Sequence, residues 1–150
     1  MTTIGVISDT HGLLRKEAIE LLKGSDLILH AGDIGKQSVL KELKSIAPVI
    51  AIRGNVDQDD WATNIDETQT FERDGVSIYL IHNIKEIDIN PVGRFDVVVS
   101  GHSHKPRSEV KNDVLYFNPG SAGPRRFKLP IALGKLTLRD GSVEDEIIII

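Results

Sequence analysis

The chain has 150 residues, 40% hydrophobic and 27% charged, with a formal net charge of -4; this suits one compact domain over residues 1–150 and excludes a disordered or fibrous protein. Cysteine is absent, which excludes disulfides and thiolate metal sites, so any metal must be held by His, Asp, Glu or Asn. Aromatic residues are only 5%, no basic cluster exceeds Pro124-Arg125-Arg126, and no apolar run approaches the roughly 20 residues that span a bilayer. Nucleic-acid and membrane partners are therefore not indicated. The start, MTTIGVISD, lacks a basic leader, and a cytoplasmic protein is the simplest reading.

In chain order, residues 3–8 (TIGVIS) form a short β-branched apolar run and predict a buried strand, and residues 14–23 (LRKEAIELLK) have helical periodicity ending at Gly24. The unit then repeats: residues 26–30 (DLILH) predict a strand, 38–46 (SVLKELKSI) a helix and 49–52 (VIAI) a third strand. Alternation of this kind implies βαβ crossovers and a parallel sheet. Trp61 lies alone in the polar stretch QDDWATN and reads as a packed or partly exposed loop residue. Further on, residues 68–72 and 76–81 flank Asp74-Gly75, 107–111 and 114–117 flank Asn112-Asp113, and 133–138 and 143–150 flank Asp140-Gly141. Each pair reads as an antiparallel hairpin. Residues 96–100 (DVVVS) give one more apolar strand, and residues 147–150 complete an edge or buried strand, with a homo-oligomer interface the lesser alternative. A parallel half followed by hairpins suggests two sheets packed face to face with helices outside, an α/β fold.

The carboxyl ends of these runs share a character. TIGVIS leads to Asp9 and His11, DLILHAG to Asp33, VIAIRG to Asn55, VSIYLI to His82, DVVVSG to His102 and His104, and VLYF to Asn118. Ligands of open α/β sheets bind beyond the carboxyl ends of the strands, so such residues would converge on one crevice. Asp9, His11, Asp33, Asn55, His82, His102 and His104 make a set of two Asp, one Asn and four His. Seven ligands exceed what one ion takes and suggest two ions sharing a carboxylate. Taken singly, Asp9-x-His11 reads equally as a strand end and cap, and Gly32-Asp33 and Gly54-Asn55 are ordinary turn dipeptides. His30, inside its strand, reads as a supporting residue that holds a ligand through its ring N–H.

The series Asp-x-His, Gly-Asp, Gly-Asn, strand-terminal His and Gly-His-x-His resembles the calcineurin-like metallophosphoesterase superfamily. The strings HAGD, GNVD, GHSH and FNPGSAGPRRF are similar to those of its small YfcE-type phosphodiesterases. The resemblance implies a four-layer α/β/β/α sandwich of two mixed sheets. It also implies that Asp9, His11 and His104 ligate one divalent metal, that Asn55, His82 and His102 ligate the other, and that Asp33 bridges them; Asp33, Asn55 and His82 double as catalytic positions. Mixed nitrogen and oxygen ligation favours manganese, iron, zinc, nickel or cobalt over magnesium or calcium, and the resemblance makes manganese the first choice. The implied activity is hydrolysis of small phosphodiesters by a metal-bridging hydroxide, the ions neutralising the phosphoryl oxygens. The rival is a non-catalytic scaffold like the retromer subunit of this fold, in which the Asp-x-His histidine is replaced; here His11 is intact.

Two positions depart from the pattern. Val56 stands where many members carry a His that protonates the leaving group, a contribution of about 10²- to 10⁴-fold, which favours diesters with good leaving groups over monoesters. Asn83-Ile84 replace the usual Gly-His; if the Gly serves a positive φ, Asn is its least costly substitute. In Asn118-Pro119-Gly120-Ser121, Asn118 and Gly120 read either as a plain turn or as support for the site, with Arg125 or Arg126 placed to clamp a phosphate.

Overall fold

The structure is a computed structural model that describes residues 1–150. Strands β1 (Thr2–Ile7), β2 (Leu27–His30) and β3 (Val49–Ala51) are connected through helices α1 (Lys16–Leu22) and α2 (Gln37–Lys44) and pair in parallel, as the alternating pattern requires. Both helices are shorter than their periodic windows; neither N-terminus has a side-chain cap, whereas the last turn of α2 is closed by the Ser45 N–H on the Lys41 and Glu42 carbonyls. Further along the chain come β4 (Thr68–Arg73), β5 (Val76–Ile81), β6 (Val97–Val99), β7 (Arg107–Lys111), β8 (Val114–Asn118), β9 (Ala132–Arg139) and β10 (Ser142–Ile149). They complete two five-stranded mixed sheets, ordered β10-β9-β1-β2-β3 and β4-β5-β6-β8-β7.

All three expected hairpins form, with two-residue loops between the register pairs Arg73↔Val76, Lys111↔Val114 and Arg139↔Ser142. Their loop residues Asp74, Asn112, Asp113 and Asp140 have φ of 50°, 52°, 64° and 48°. Positive φ of this kind gives the loop the twist of its strands, and Asn and Asp tolerate it best after glycine. In the second sheet β5, β6 and β8 are parallel at the centre, and the hairpin partners β4 and β7 form the antiparallel edges.

Three apolar clusters hold the layers together. The largest lies between the sheets, where Ile4, Val6, Leu27 and Leu29 meet Ile78, Leu80, Val97 and Phe117. Each side chain of this size contributes about 2 kcal/mol when fully buried. A second cluster packs Ile7, Ile28 and Leu133 of the first sheet against Ala18 and Leu22 of α1 and Val39, Leu40 and Leu43 of α2. The third covers the outer face of the second sheet, and here the helical layer is thin. Ile84, Ile87, Ile89 and Phe95 lie over Tyr79, Ile81, Val98 and Val114, and the only helix in that stretch is the single 3-10 turn Ile84–Glu86. The short apolar spacing of this segment suffices to cover three strands without a full helix.

Trp61 packs in the helical-side cluster, in the 3-10 turn Asp60–Ala62, as a partly buried loop residue. β10 is an outer edge strand; Ile147 and Ile148 reach opposite cores and Ile149 is exposed. No helix is long and apolar enough to cross a membrane.

Candidate metal centre

Five strands of the two parallel runs, β1-β2-β3 and β5-β6, lead into loops that carry the candidate ligands. Asp9 and His11 follow β1, Asp33 follows β2, Asn55 follows β3, His82 follows β5, and His102 and His104 follow β6. The side chains sort into two groups, Asp9, His11 and His104 in one and Asp33, His82 and His102 in the other, and within each group the ligand atoms lie within 4.8 Å of one another. Each group draws on both sheets.

Asp9 is fully buried, and its two oxygens differ. Oδ2 accepts from the Ser8 hydroxyl at 2.7 Å and from the His102 N–H at 3.0 Å, whereas Oδ1 has no hydrogen-bond partner. That free oxygen faces Nε2 of His104 at 3.5 Å and Nε2 of His11 and His82 at 3.9 Å each. Burial raises the carboxyl above its ordinary value, although Ser8, His82 and His104 favour the charged form. In the second group the His82 Nδ1–H donates to the Ala31 carbonyl at 2.7 Å, which fixes the tautomer and turns Nε2 toward Asp33 Oδ2 at 3.2 Å. The approach is not aligned as a hydrogen bond, and Nε2 has no partner. Burial works against charge on His82, but Asp33, Asp9 and the Ala31 carbonyl outweigh it and raise the pKa. Burial likewise opposes ionisation of Asp33, yet His82, the Val56 N–H and His11 hold its carboxyl below the usual value. His104 is shifted down, first by burial and then, against the pull of Asp9, by Arg126 and His11.

These atoms fit divalent metal ions. A buried unpaired polar atom costs about 1–3 kcal/mol, and here an orphaned carboxylate oxygen and an orphaned imidazole nitrogen converge with two further imidazoles. A cation at their meeting point satisfies all of them, and a backbone carbonyl accepting the other ring N–H, as Ala31 does from His82, is a usual outer partner of a metal-binding His.

The backbone is strained at the same place. Asp9, His11, Asp33, His102 and His104 have φ of 54°, 47°, 58°, 70° and 63°. Five left-handed non-glycine residues among seven candidate ligands are held there by the surrounding bonds, at a cost of order 1–3 kcal/mol each. Nothing in the residue pattern announces this. The glycines of the motifs serve close approach: a Cβ on Gly54 would collide with the Asp33 backbone and carboxylate, and one on Gly101 with Ser8 and Asp9.

Two supporting residues are not among those singled out from the sequence. Asp57, 2% exposed, accepts from the N–H groups of Ile34 (3.0 Å), Gly35 (3.0 Å) and Gly54 (2.9 Å), so one carboxylate ties the Asp33 loop to the Asn55 loop. An acid two residues beyond Asn55, between turn-forming residues, is the trace it leaves in the sequence. Ser121 donates to the Asp9 carbonyl at 3.0 Å. Asn118 donates to the Gly101 carbonyl at 2.9 Å and to Ser103 Oγ at 3.2 Å, and Gly120 (φ 81°) donates its N–H back to Asn118 Oδ1 at 2.9 Å. The 118–121 turn therefore braces both the Asp9 and the His102 loops. Arg125 is exposed and lines no cavity at the site; Arg126 does.

His30 supports the site differently from expectation. Nδ1 accepts from the Gly32 N–H at 3.1 Å, so Nε2 carries the proton and donates at 2.9 Å to Thr10 Oγ1, which donates onward to the Ile34 carbonyl at 2.9 Å. The ring holds the loops around Asp9 and Asp33 and touches no candidate ligand side chain. Complete burial lowers its pKa from 6.5 to about 4. The unfolded chain takes up this proton near pH 6.5 and the folded chain only near pH 4, so stability present above pH 6.5 is lost as pH falls between these values. His30→Gln should weaken that loss by about 2–3 kcal/mol between pH 7 and 4.5; equal losses for the variant and the native protein in urea unfolding would contradict the assignment.

Asn55 is exposed, and its carboxamide makes no hydrogen bond within the chain. Val56 is 51% exposed and its N–H donates to Asp33 Oδ1 at 3.1 Å. Asn83 corrects the expectation of a positive φ: its φ is -113°, and its side chain instead accepts from the Lys85 N–H at 3.1 Å, capping the Ile84–Glu86 turn. The side-chain bond, not left-handed backbone, is what suits Asn to this position.

Residues 2–141 match the calcineurin-like phosphoesterase superfamily domain. The chain belongs to this superfamily. As a metallophosphoesterase it is 34% identical over 153 residues to a probable metallophosphoesterase of Methanocaldococcus jannaschii, covering 91% of this chain and 76% of that protein. It is 32% identical over 137 residues to a phosphodiesterase of the same organism, covering 78% and 82% of the two chains. The Vps29 structure from Chaetomium thermophilum superposes with a TM-score of 0.80 over 100% of this chain and 97% of its own, at 18% identity, which shows a shared fold. The two mixed sheets are thus the metallophosphoesterase fold, and membership implies divalent metal ions, for which the two residue groups are the candidate holders.

Proposed function

We propose that this metallophosphoesterase hydrolyses small phosphodiesters at a dinuclear centre, with Asp9, His11 and His104 holding one ion, Asn55, His82 and His102 the other, and Asp33 shared between them. The observation that carries this reading is the pair of converging groups, each within 4.8 Å, with Asp9 Oδ1 and His82 Nε2 unpaired at their centre. Bound divalent ions, manganese in this reading, supply positive charge for phosphoryl oxygens and a water acidic enough to act as nucleophile near neutral pH. The protein's residues fix the remainder. Ser8, the His102 N–H and the Ala31 carbonyl orient Asp9 and His82, and Asp33 is held ionised. Val56 offers no proton to a departing alcohol, so diesters with acidic leaving groups suit the site better than alkyl monoesters.

The test is to load the protein with manganese, count bound metal by elemental analysis, and compare bis(4-nitrophenyl) phosphate with 4-nitrophenyl phosphate. The diester should be the better substrate by about tenfold or more in kcat/KM. A preference for the monoester would remove the diesterase assignment, and bound metal with no turnover of either would favour a scaffold. The likeness to Vps29 concerns the fold, whereas all seven candidate ligands are present here, which favours the enzyme.

A further inference from the structure

Two clefts of opposite charge meet at Asn83. One, about 370 Å³, is lined by Asn55 and His82 together with the carboxylates of Asp57, Glu67, Glu86 and Asp88, with Arg53 its one Lys or Arg. That cation is already paired with Glu67 at 3.3 Å. The other, about 600 Å³, begins at His102 and is lined by Lys85, Lys105, Arg107 and Arg126 with no carboxylate among its residues. Arg107 is occupied, bonded to Glu109 at 2.7 and 3.0 Å. Lys85, Lys105 and Arg126 take part in no ion pair, in a chain whose acidic residues outnumber its basic ones by 22 to 18. Three uncompensated cations gathered in one concave surface of an acidic protein focus a positive potential beside His102.

Resting on the phosphodiesterase reading, we infer that this basic cleft is an anion subsite and that the preferred substrate is a phosphodiester one of whose alcohols carries a phosphate monoester. The diester phosphorus lies at the metal centre and the second phosphate lies beyond His102 among Lys85, Lys105 and Arg126, where a guanidinium and two ammonium groups bind it by charge-assisted hydrogen bonds. The acidic cleft repels the same group and fixes the direction of binding. The Asn83-Ile84 departure from the family pattern acquires a role: the Asn83 side chain caps the turn that carries Lys85, and both Asn83 and Ile84 line the basic cleft.

Two measurements decide the matter. In the metal-free, ¹⁵N-labelled protein titrated with inorganic phosphate, the amide signals of Ser103, Lys105 and Arg107 should move while those of Glu67 and Glu86 stay, and the movement should be lost in Lys105→Gln/Arg126→Gln. With manganese bound, 4-nitrophenyl 2-phosphoethyl phosphate should exceed 4-nitrophenyl ethyl phosphate in kcat/KM by about tenfold, about 1.4 kcal/mol, and that ratio should fall toward one in the double variant. Unmoved amides, or a ratio near one in the native protein, would overturn the subsite. If neither ester is cleaved although phosphate moves the amides as described, the subsite stands and the hydrolase reading falls.

Discussion

Asp33→Asn is expected to lower diester kcat/KM by at least about 10³-fold, in line with removal of an essential group from a catalytic unit, and to reduce bound metal per chain, while the fold persists. Asparagine is the informative replacement. It keeps an oxygen that can accept the Val56 N–H, and it tolerates the φ of 58° at this position, which alanine does not. What it removes is the negative charge that faces His82 at 3.2 Å and His11 at 3.7 Å. Elemental analysis, turnover of bis(4-nitrophenyl) phosphate and thermal unfolding together check the result. A variant with more than a tenth of native activity would show that Asp33 does not hold the ions.

Asp57→Ala is expected to act on the whole site without touching a ligand. Its carboxylate serves three backbone N–H groups, those of Ile34, Gly35 and Gly54. Alanine leaves all three without acceptors beneath the Asp33 and Asn55 loops, and at about 1–3 kcal/mol for each unsatisfied group the loss should be about 4 kcal/mol. In a chain of this size that corresponds to a melting temperature lower by about 10 °C. Metal affinity should fall with it, because Asp33 and Asn55 are no longer fixed relative to each other. Asp57→Asn, with a single acceptor oxygen, should fall between. A melting temperature for Asp57→Ala within about 2 °C of native would mean that water replaces the carboxylate and that the tie is not structural.

The candidate ligands were legible because position and residue type coincide: Asp9, His11, Asp33, Asn55, His82, His102 and His104 all stand just beyond apolar runs that proved to be parallel strands. The turn dipeptides placed all three hairpins for a similar reason, since few residues accept positive φ. What escaped was set by contacts distant in sequence. Asp57 acts on Ile34 and Gly35, more than 20 residues earlier, and no local pattern predicts that partnership. Asn83 was read through backbone conformation, whereas a local side-chain bond decides its place. The choice of Arg126 over Arg125 for the cleft depends on how one irregular loop turns, which neither periodicity nor spacing encodes. The sequence suggests that His30 holds a ligand through its ring N–H, whereas the ring bonds Thr10, a partner that becomes visible only when β1 and β2 lie side by side.

The division of each ligand group between the two sheets bears on the order of events as the chain is made. A chain grown only as far as residue 81 possesses Asp9, His11, Asp33 and Asn55, yet only one of the four candidate histidine ligands; the other three lie just after β5 and in the loop after β6. Neither group can close until the second sheet has docked on the first. If these groups hold the ions as proposed, metal capture waits until strands of both sheets are in place, and a chain that stops short of His82 has only His11 among the histidines with which to hold an ion.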